Sequence, residues 1–104
     1  MGFDIMIKGL LPEEENIIKS ILAPYKKDFD FYYYGSRVKG NFEKSSDLDV
    51  LIRGKAEIPY NKLETLKFLF DNSDLPFVVN FADFYNIDEK FYDLIKKDLV
   101  KVFV

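Results

Sequence analysis

The spacing between a glycine-serine pair and two aspartates constrains this chain more than any other feature. Gly35-Ser36 directly follows an aromatic stretch typical of a strand, and Asp47-Leu48-Asp49 leads into the apolar run Val50-Leu51-Ile52. Because successive strand side chains point to opposite faces, Asp47 and Asp49 are predicted to project on the same side, about 7 Å apart. Two neighbouring carboxylates repel each other, so we expect a cation between them. A divalent metal that prefers oxygen ligands is the simplest candidate.

The composition excludes several kinds of chemistry and of partner. The 104 residues include no cysteine and no histidine, which excludes disulfides, thiolate or imidazole zinc sites and serine–histidine catalysis. A formal net charge of −3 does not favour binding to nucleic acid. No apolar run reaches the ~18 residues of a membrane span, and the first residues are not typical of a signal peptide. We therefore expect a cytoplasmic protein.

Periodicity and turn residues predict one domain over residues 1–104, in the order helix, strand, strand, helix, strand, helix, strand. The first helix begins at Pro12, with three glutamates in its first turn, and ends or kinks at Pro24. Residues 2–8 form either a short strand or a tail, and residues 37–39 a short helical turn. The strands are predicted at 29–34, 47–53, 76–84 and 100–104. This order predicts an α/β or α+β sheet with helices packed on it.

The apolar faces of the last two helices are predicted to point into the core. For the second helix these residues are Leu63, Leu66, Leu69 and Phe70. Asp88 is a suitable N-cap for the last helix, whose inward residues are Phe91, Leu94, Ile95 and Leu99. The tyrosine run at 32–34 is interpreted as strand side chains packed against helices rather than as a platform for base stacking.

Taken separately, a Gly-Ser turn is usually only a turn, and an Asp-x-Asp pair is most often solvated. Together they suggest a phosphate site, because the loop between them carries three basic side chains, Arg37, Lys39 and Lys44. A glycine turn lets backbone N–H groups approach a phosphate, and a serine hydroxyl adds a donor. Metal-bound carboxylates beside such a turn are the working parts of a phosphoryl or nucleotidyl transfer site.

Residues 34–40 and 45–52 resemble the signature of the minimal nucleotidyltransferases of the polymerase-β-like superfamily, which is Gly-Ser, about ten residues and Asp-x-Asp. Residues 75–83 look like the family's third-carboxylate strand, and residues 91–103 like its closing helix and strand. The resemblance implies an α+β two-layer fold with a mixed sheet. It also implies that Gly35 and Ser36 hold the triphosphate of ATP, and that Asp47 and Asp49 hold Mg²⁺.

The resemblance further implies an activity and a partner. Small members of the family resemble the antitoxin half of a two-gene module, which adenylylates a tyrosine of an all-helical HEPN-domain ribonuclease toxin. We therefore expect adenylyl transfer within a hetero-oligomer, with no membrane and no direct nucleic-acid partner. Arg37 is predicted either to neutralise phosphate charge or to be a solvated or ion-paired loop residue. Transfer to an aminoglycoside-like small molecule is a weaker reading, because those enzymes resemble longer chains.

Asn80 departs from the family pattern, because it stands where the third catalytic acid is expected. An amide can offer a metal one neutral oxygen, but it supplies no negative charge and accepts no proton. Asp83 is predicted to face the opposite side of the strand and is a poor substitute. Three accounts stay open: a weakened enzyme, a naturally inactive binding antitoxin or regulatory subunit, or a chain whose acid was replaced deliberately to stop turnover.

Overall fold

A computed structural model of the chain describes residues 7–104. Its helices are α1 (Pro12–Leu22), α2 (Ser36–Lys39), α3 (Tyr60–Asp71) and α4 (Glu89–Ile95). Its strands are β1 (Phe29–Tyr34), β2 (Leu48–Gly54), β3 (Val79–Asp83) and β4 (Val100–Lys101). Short 3₁₀ turns follow α1 and α4, at Ala23–Tyr25 and Lys96–Asp98. Most of the strand or tail predicted at residues 2–8 lies outside the described residues.

The four strands form one mixed sheet in the order β3-β2-β1-β4. Strand β1 runs antiparallel to both β2 and β4, whereas β2 and β3 are parallel. The parallel pair is joined by a crossover that contains α3, as parallel strands require. This arrangement confirms the predicted α+β fold with helices packed on a mixed sheet.

One face of the sheet forms the core against α1 and α3. Its strand residues are almost fully buried: Phe29, Phe31, Tyr33, Leu48, Val50 and Ile52. Ile18 and Leu22 come from α1, and Leu66 and Phe70 from α3. The buried Tyr33 hydroxyl donates a hydrogen bond to Glu15 Oε1 at 3.1 Å. Burial and the Glu15 carboxylate raise the pKa of Tyr33, so the phenol stays protonated.

The opposite face of the sheet is covered in part by α4. Phe91 packs edge-on against Tyr34 with 6.0 Å between ring centroids, and Tyr92 packs edge-on against Phe84 at 5.3 Å. Asp88 caps α4 as predicted, since its Oδ1 accepts a hydrogen bond from the Phe91 amide at 2.7 Å. The helix has only seven residues, so it is short relative to the sheet that it packs on.

Several sequence predictions of burial and length were wrong. Leu69 of α3 is 39% exposed and Leu94 of α4 is 71% exposed. Phe91 is also exposed, because its contact with Tyr34 covers only one edge of the ring. Strand β3 is shorter than predicted, because it is an edge strand that begins opposite Leu48, the first residue of its partner β2. Strand β4 is likewise short, with Lys101 and Val100 paired to Tyr32 and Tyr33.

The other element predictions agree closely with the structure. Helix α1 begins at Pro12 and ends at Leu22, two residues before Pro24. Strand β1 has the predicted bounds, and β2 is displaced by one residue. Helix α3 begins at Tyr60, three residues before Leu63, the first of its predicted apolar residues. Within residues 7–104, no helix has both the length and the apolar character needed to cross a membrane.

Candidate active site

The sheet register brings Asp47, Asp49 and Asn80 together. Asp49 lies opposite Asn80 across the parallel β2–β3 pair, and Asp47 lies just before β2. The Asn80 amide nitrogen donates to Asp47 Oδ2 at 3.0 Å and to Asp49 Oδ1 at 3.3 Å. Both carboxylates therefore project on the same side of β2, where the alternation of strand side chains predicted them.

The surroundings of Asp49 disfavour the charged form of its carboxyl group. Burial raises its pKa above the usual range, the Asn80 hydrogen bond lowers it, and the neighbouring Asp47 carboxylate raises it again. The net effect is a raised pKa, because desolvation outweighs the hydrogen bond. A positive charge between the two carboxylates would relieve both burial and repulsion.

Gly35 brings the backbone against the Asp49 carboxylate. Its φ angle is 85°, which is the left-handed region that side chains rarely adopt. A Cβ atom at Gly35 would also collide with Asp49 Oδ2. Only glycine allows this turn and this carboxylate to be neighbours, so the Gly-Ser turn and the Asp-x-Asp pair belong to one site. Ser36 follows as the first residue of α2.

Tyr34 is a site neighbour that the sequence analysis treated only as a packing residue. It lies opposite Asp49 across the antiparallel β1–β2 pair, so the two side chains share a face. Burial and the Asp49 charge raise the pKa of Tyr34 to about 12. The phenol therefore remains neutral at physiological pH. Strand alternation, counted from Asp49 across the predicted sheet, is the signal that indicates this placement.

Arg37 lies inside the protein rather than beside the carboxylates in solvent. It is 3% exposed, and its guanidinium donates to the carbonyls of Ser46 and Lys44, each at 2.9 Å, and to that of Gly9. The guanidinium also stacks over the Phe77 ring, 4.0 Å from the centroid. Arg37 is therefore not solvated, and the contacts of its guanidinium within residues 7–104 are with carbonyl oxygens and aromatic rings. Binding of phosphate by Arg37 stays a prediction.

Asp83 does not replace the third acid. It lies opposite Ile52 in the register, on the core face of the sheet. Its carboxylate is buried and accepts hydrogen bonds from the amides of Ile58 and Tyr85, each at 2.8 Å. Both oxygens of the Asp83 carboxylate are thus used to hold the backbone at Ile58 and at Tyr85.

The residues present fit one divalent cation with oxygen ligands. Asp47 and Asp49 offer two carboxylates, and a half-turn of the Asn80 amide would exchange its donor for a carbonyl oxygen. Within residues 7–104 no cluster of three or more acidic, histidine or cysteine side chains is placed to hold a metal. The donor set therefore carries one negative charge fewer than three acids would supply.

Comparisons with known proteins identify the family of the chain. The sequence profile of the nucleotidyltransferase domain family matches residues 14–104. The chain is 37% identical over 90 residues to the probable protein adenylyltransferase MntA of Haemophilus influenzae (strain ATCC 51907 / DSM 11121 / KW20 / Rd), covering 86% of this chain and 79% of that protein. A solved structure described as a toxin-antitoxin with AMP-PNP superposes with a TM-score of 0.70 at 18% identity, covering 86% of this chain and 72% of that chain. At that identity the superposition is evidence for the fold alone.

Proposed function

Because the chain belongs to the nucleotidyltransferase family, as a minimal, antitoxin-type member, we propose that it transfers an adenylyl group from ATP to a hydroxyl of a partner protein. The observation that carries the proposal is the convergence of Asp47 and Asp49 on one amide. The glycine turn that touches Asp49 adds the second part of the site. Carboxylates that gather a cation beside a backbone able to approach phosphate match the needs of nucleotidyl transfer.

Each site residue has a distinct role in this proposal. Gly35 lets the backbone approach the triphosphate, and the Ser36 hydroxyl donates to a phosphate oxygen. Asp47 and Asp49 would hold Mg²⁺, which would neutralise phosphate charge at the reacting centre. The acceptor oxygen forms a bond to the α-phosphorus as the bond to pyrophosphate breaks. Asn80 has no basic atom, so the acceptor proton must leave without its help.

We further propose that the acceptor is a tyrosine of a HEPN-domain toxin. The chain's relative in H. influenzae is named a probable protein adenylyltransferase, which supports a protein acceptor. The solved structure with the same fold is a toxin-antitoxin, which supports a complex with a toxin. Asp47 and Asn80 are exposed, so an acceptor side chain of another polypeptide has access to the site.

A second candidate function is a binding antitoxin that does not turn over. The Asn80 amide already donates to both carboxylates and so partly offsets their repulsion without any cation. A site that is satisfied in this way has less need of a metal than a site of three acids. In this candidate function the chain binds the toxin but transfers no adenylyl group to it.

Incubation with HEPN toxin, Mg²⁺ and ATP labelled at the α-phosphate tests the two candidates. The enzyme transfers label to the toxin, and Asp47→Asn or Asp49→Asn abolishes the transfer. Asp93→Asn is the charge-matched control, because Asp93 is exposed on α4 and pairs with Lys96 at 3.1 Å. A stable complex that acquires no label contradicts the enzyme and supports the binding antitoxin. A tyrosine-to-phenylalanine series in the toxin then locates the acceptor.

A further inference from the structure

We propose that the exposed side of α4 is the docking surface for the polypeptide that carries the acceptor hydroxyl. This side, called the α4 surface below, consists of Phe91 and Leu94 with Lys90 and Lys97 beside them. The inference rests on the proposed function and adds to it the place where the partner binds and the chemistry that the partner presents. The surface fits a partner that offers an apolar side chain, flanked by carboxylates, close to its acceptor hydroxyl.

Helix α4 is poorly covered by the rest of the protein. None of the residues of α4 or of the 3₁₀ turn Lys96–Asp98, all within the described range, is buried, whereas α1 and α3 each bury apolar side chains in the core. A helix of seven residues is not stable alone in water, yet Leu94 is 71% exposed. The outer side of α4 therefore has apolar surface that residues 7–104 leave uncovered.

Direct contacts connect the α4 surface to the candidate active site. Phe91 packs edge-on against Tyr34, with 6.0 Å between ring centroids, and Tyr34 lies opposite Asp49 in the sheet register. Leu94 follows Phe91 by three positions in the same helix, so the two side chains are neighbours with about 5–6 Å between their Cβ atoms. A polypeptide that covers Phe91 and Leu94 is therefore held within side-chain reach of the site.

The charges around Leu94 indicate the chemistry of the partner. Lys90 precedes Leu94 by four positions and Lys97 follows it by three, so both lie on its side of the helix. Lys96 pairs with Asp93 at 3.1 Å, whereas Lys90 and Lys97 are exposed and form no ion pair within residues 7–104. An apolar centre with an uncompensated basic rim is complementary to an apolar side chain with acidic neighbours.

A second copy of this chain is a poorer occupant of the α4 surface. A symmetric dimer through this surface would bring the same patch of both subunits together. Lys90 and Lys97 of each copy would then approach those of the other, and like charges across an interface oppose binding. The acceptor polypeptide also has to reach Asp47 and Asn80, which are exposed beside this surface, so one partner accounts for both features.

Calorimetric titration of the full chain with HEPN toxin tests the proposal. Leu94→Glu places a carboxylate at the apolar centre and should weaken toxin binding about tenfold or more. Phe68→Glu is the control of equal charge change, because Phe68 is 64% exposed on α3, which packs on the opposite face of the sheet. It should leave toxin binding unchanged. Lys90→Gln combined with Lys97→Gln should slow association, by a factor that shrinks as salt is added.

Label transfer, measured in the same variants, separates failure of the docking surface from failure of the proposed transfer. If Leu94→Glu weakens the complex but the unmodified chain transfers no label, the surface still binds the toxin and the transfer alone fails. If the unmodified chain transfers label and Leu94→Glu changes neither the affinity nor the KM for the toxin, the transfer stands and the docking surface is wrong.

Three further results would overturn the docking surface. The first is that the unmodified chain does not bind the toxin. The second is an equal loss of affinity in Phe68→Glu, because added negative charge would then explain the effect. The third is a change from dimer to monomer in Leu94→Glu with unchanged toxin affinity, measured by analytical ultracentrifugation of the chain alone, because the surface would then belong to a second copy. The unfolding temperature of Leu94→Glu shows that the variant is folded, since Leu94 is exposed.

Discussion

Asn80 donates hydrogen bonds to two carboxylates that would otherwise repel each other. The amide thereby does part of what a cation does, but it contributes no charge. The stability of the metal-free protein and the affinity for a metal are therefore linked at this residue. A group that stabilises the empty site reduces the gain from filling it, and this link makes the role of Asn80 measurable.

Asn80→Asp should destabilise the metal-free protein and sensitise it to Mg²⁺. We expect a loss of about 1–2 kcal/mol in unfolding free energy, because two hydrogen bonds are replaced by repulsion. Millimolar Mg²⁺ should restore stability, and label transfer should increase. Denaturant titration with and without Mg²⁺ measures the effect. Asn86→Asp is the control, since Asn86 also donates to an acid, Glu57, at 2.7 Å; equal responses of the two variants to Mg²⁺ would contradict the account.

Gly35→Ala and Gly40→Ala form a second matched pair at the residue scale. Both glycines have positive φ, 85° and 93°, so either substitution costs about 1 kcal/mol or more in backbone strain. A Cβ at Gly40 meets nothing within 4 Å, whereas one at Gly35 collides with Asp49. Only Gly35→Ala should also abolish ATP binding in calorimetry. Equal losses of binding would show that the Gly35–Asp49 contact is irrelevant to the site.

The raised pKa of Asp49 predicts a trade-off between stability and function. Since its folded-state pKa lies above the unfolded value, its favourable contribution is full at pH below the unfolded pKa and is lost as pH rises through the folded pKa. At neutral pH the charge therefore destabilises the metal-free fold. Asp49→Asn should raise the unfolding free energy at pH 7 and abolish transfer. A pH series of denaturant titrations checks this, and a loss of stability at pH 7 would contradict it.

At the scale of the elements, a side chain of α2 holds the loop that leads to β2. Arg37 extends from α2 and donates to the carbonyls of Ser46, Lys44 and Gly9. The sequence left two roles open for Arg37, neutralisation of phosphate charge or a solvated or ion-paired position in the loop. Binding of a buried guanidinium to carbonyls leaves no signature in spacing or charge pattern, so this role became apparent only from the structure.

Arg37→Lys should destabilise the protein although it keeps the charge. A lysine lacks the planar fork of donors, and we expect a loss of about 3 kcal/mol from carbonyls left without partners. Hydrogen exchange of the amides of residues 43–46 should accelerate. Arg53→Lys is the control, since Arg53 is exposed and stacks over Phe84 at 4.1 Å; its loss should stay below about 1 kcal/mol. Similar losses in both variants would refute the structural role.

The local sequence pattern predicted the positions of the helices and strands well, but it predicted the exposure of their apolar side chains less well. The strand β1 and the cap at Asp88 follow from residue chemistry alone, and both occur as predicted. The exposure of Leu94 does not follow from periodicity. An apolar helix face shows which residues can pack, but the area that the sheet offers to a seven-residue helix is decided by tertiary structure.

At the scale of the whole molecule, the apolar core and the candidate active site lie on opposite faces of the sheet. One face carries the apolar core with α1 and α3, and the other carries Tyr34, Asp49 and Asn80 under partial cover from α4. The sequence predicts the fold and the convergence of the two aspartates, because alternation and register are regular. The family resemblance places Asn80 beside the aspartates, but it does not predict that the amide nitrogen donates to both carboxylates, because the family pattern has an acid at that position.

A crystal structure of the chain with Mg²⁺ and a non-hydrolysable ATP analogue tests the central claim most directly. The account predicts a cation bridging Asp47 and Asp49, the triphosphate over Gly35 and Ser36, and an Asn80 amide nitrogen released from both carboxylates. A nucleotide bound elsewhere, with the Asn80 nitrogen still hydrogen-bonded to both aspartates, would contradict it.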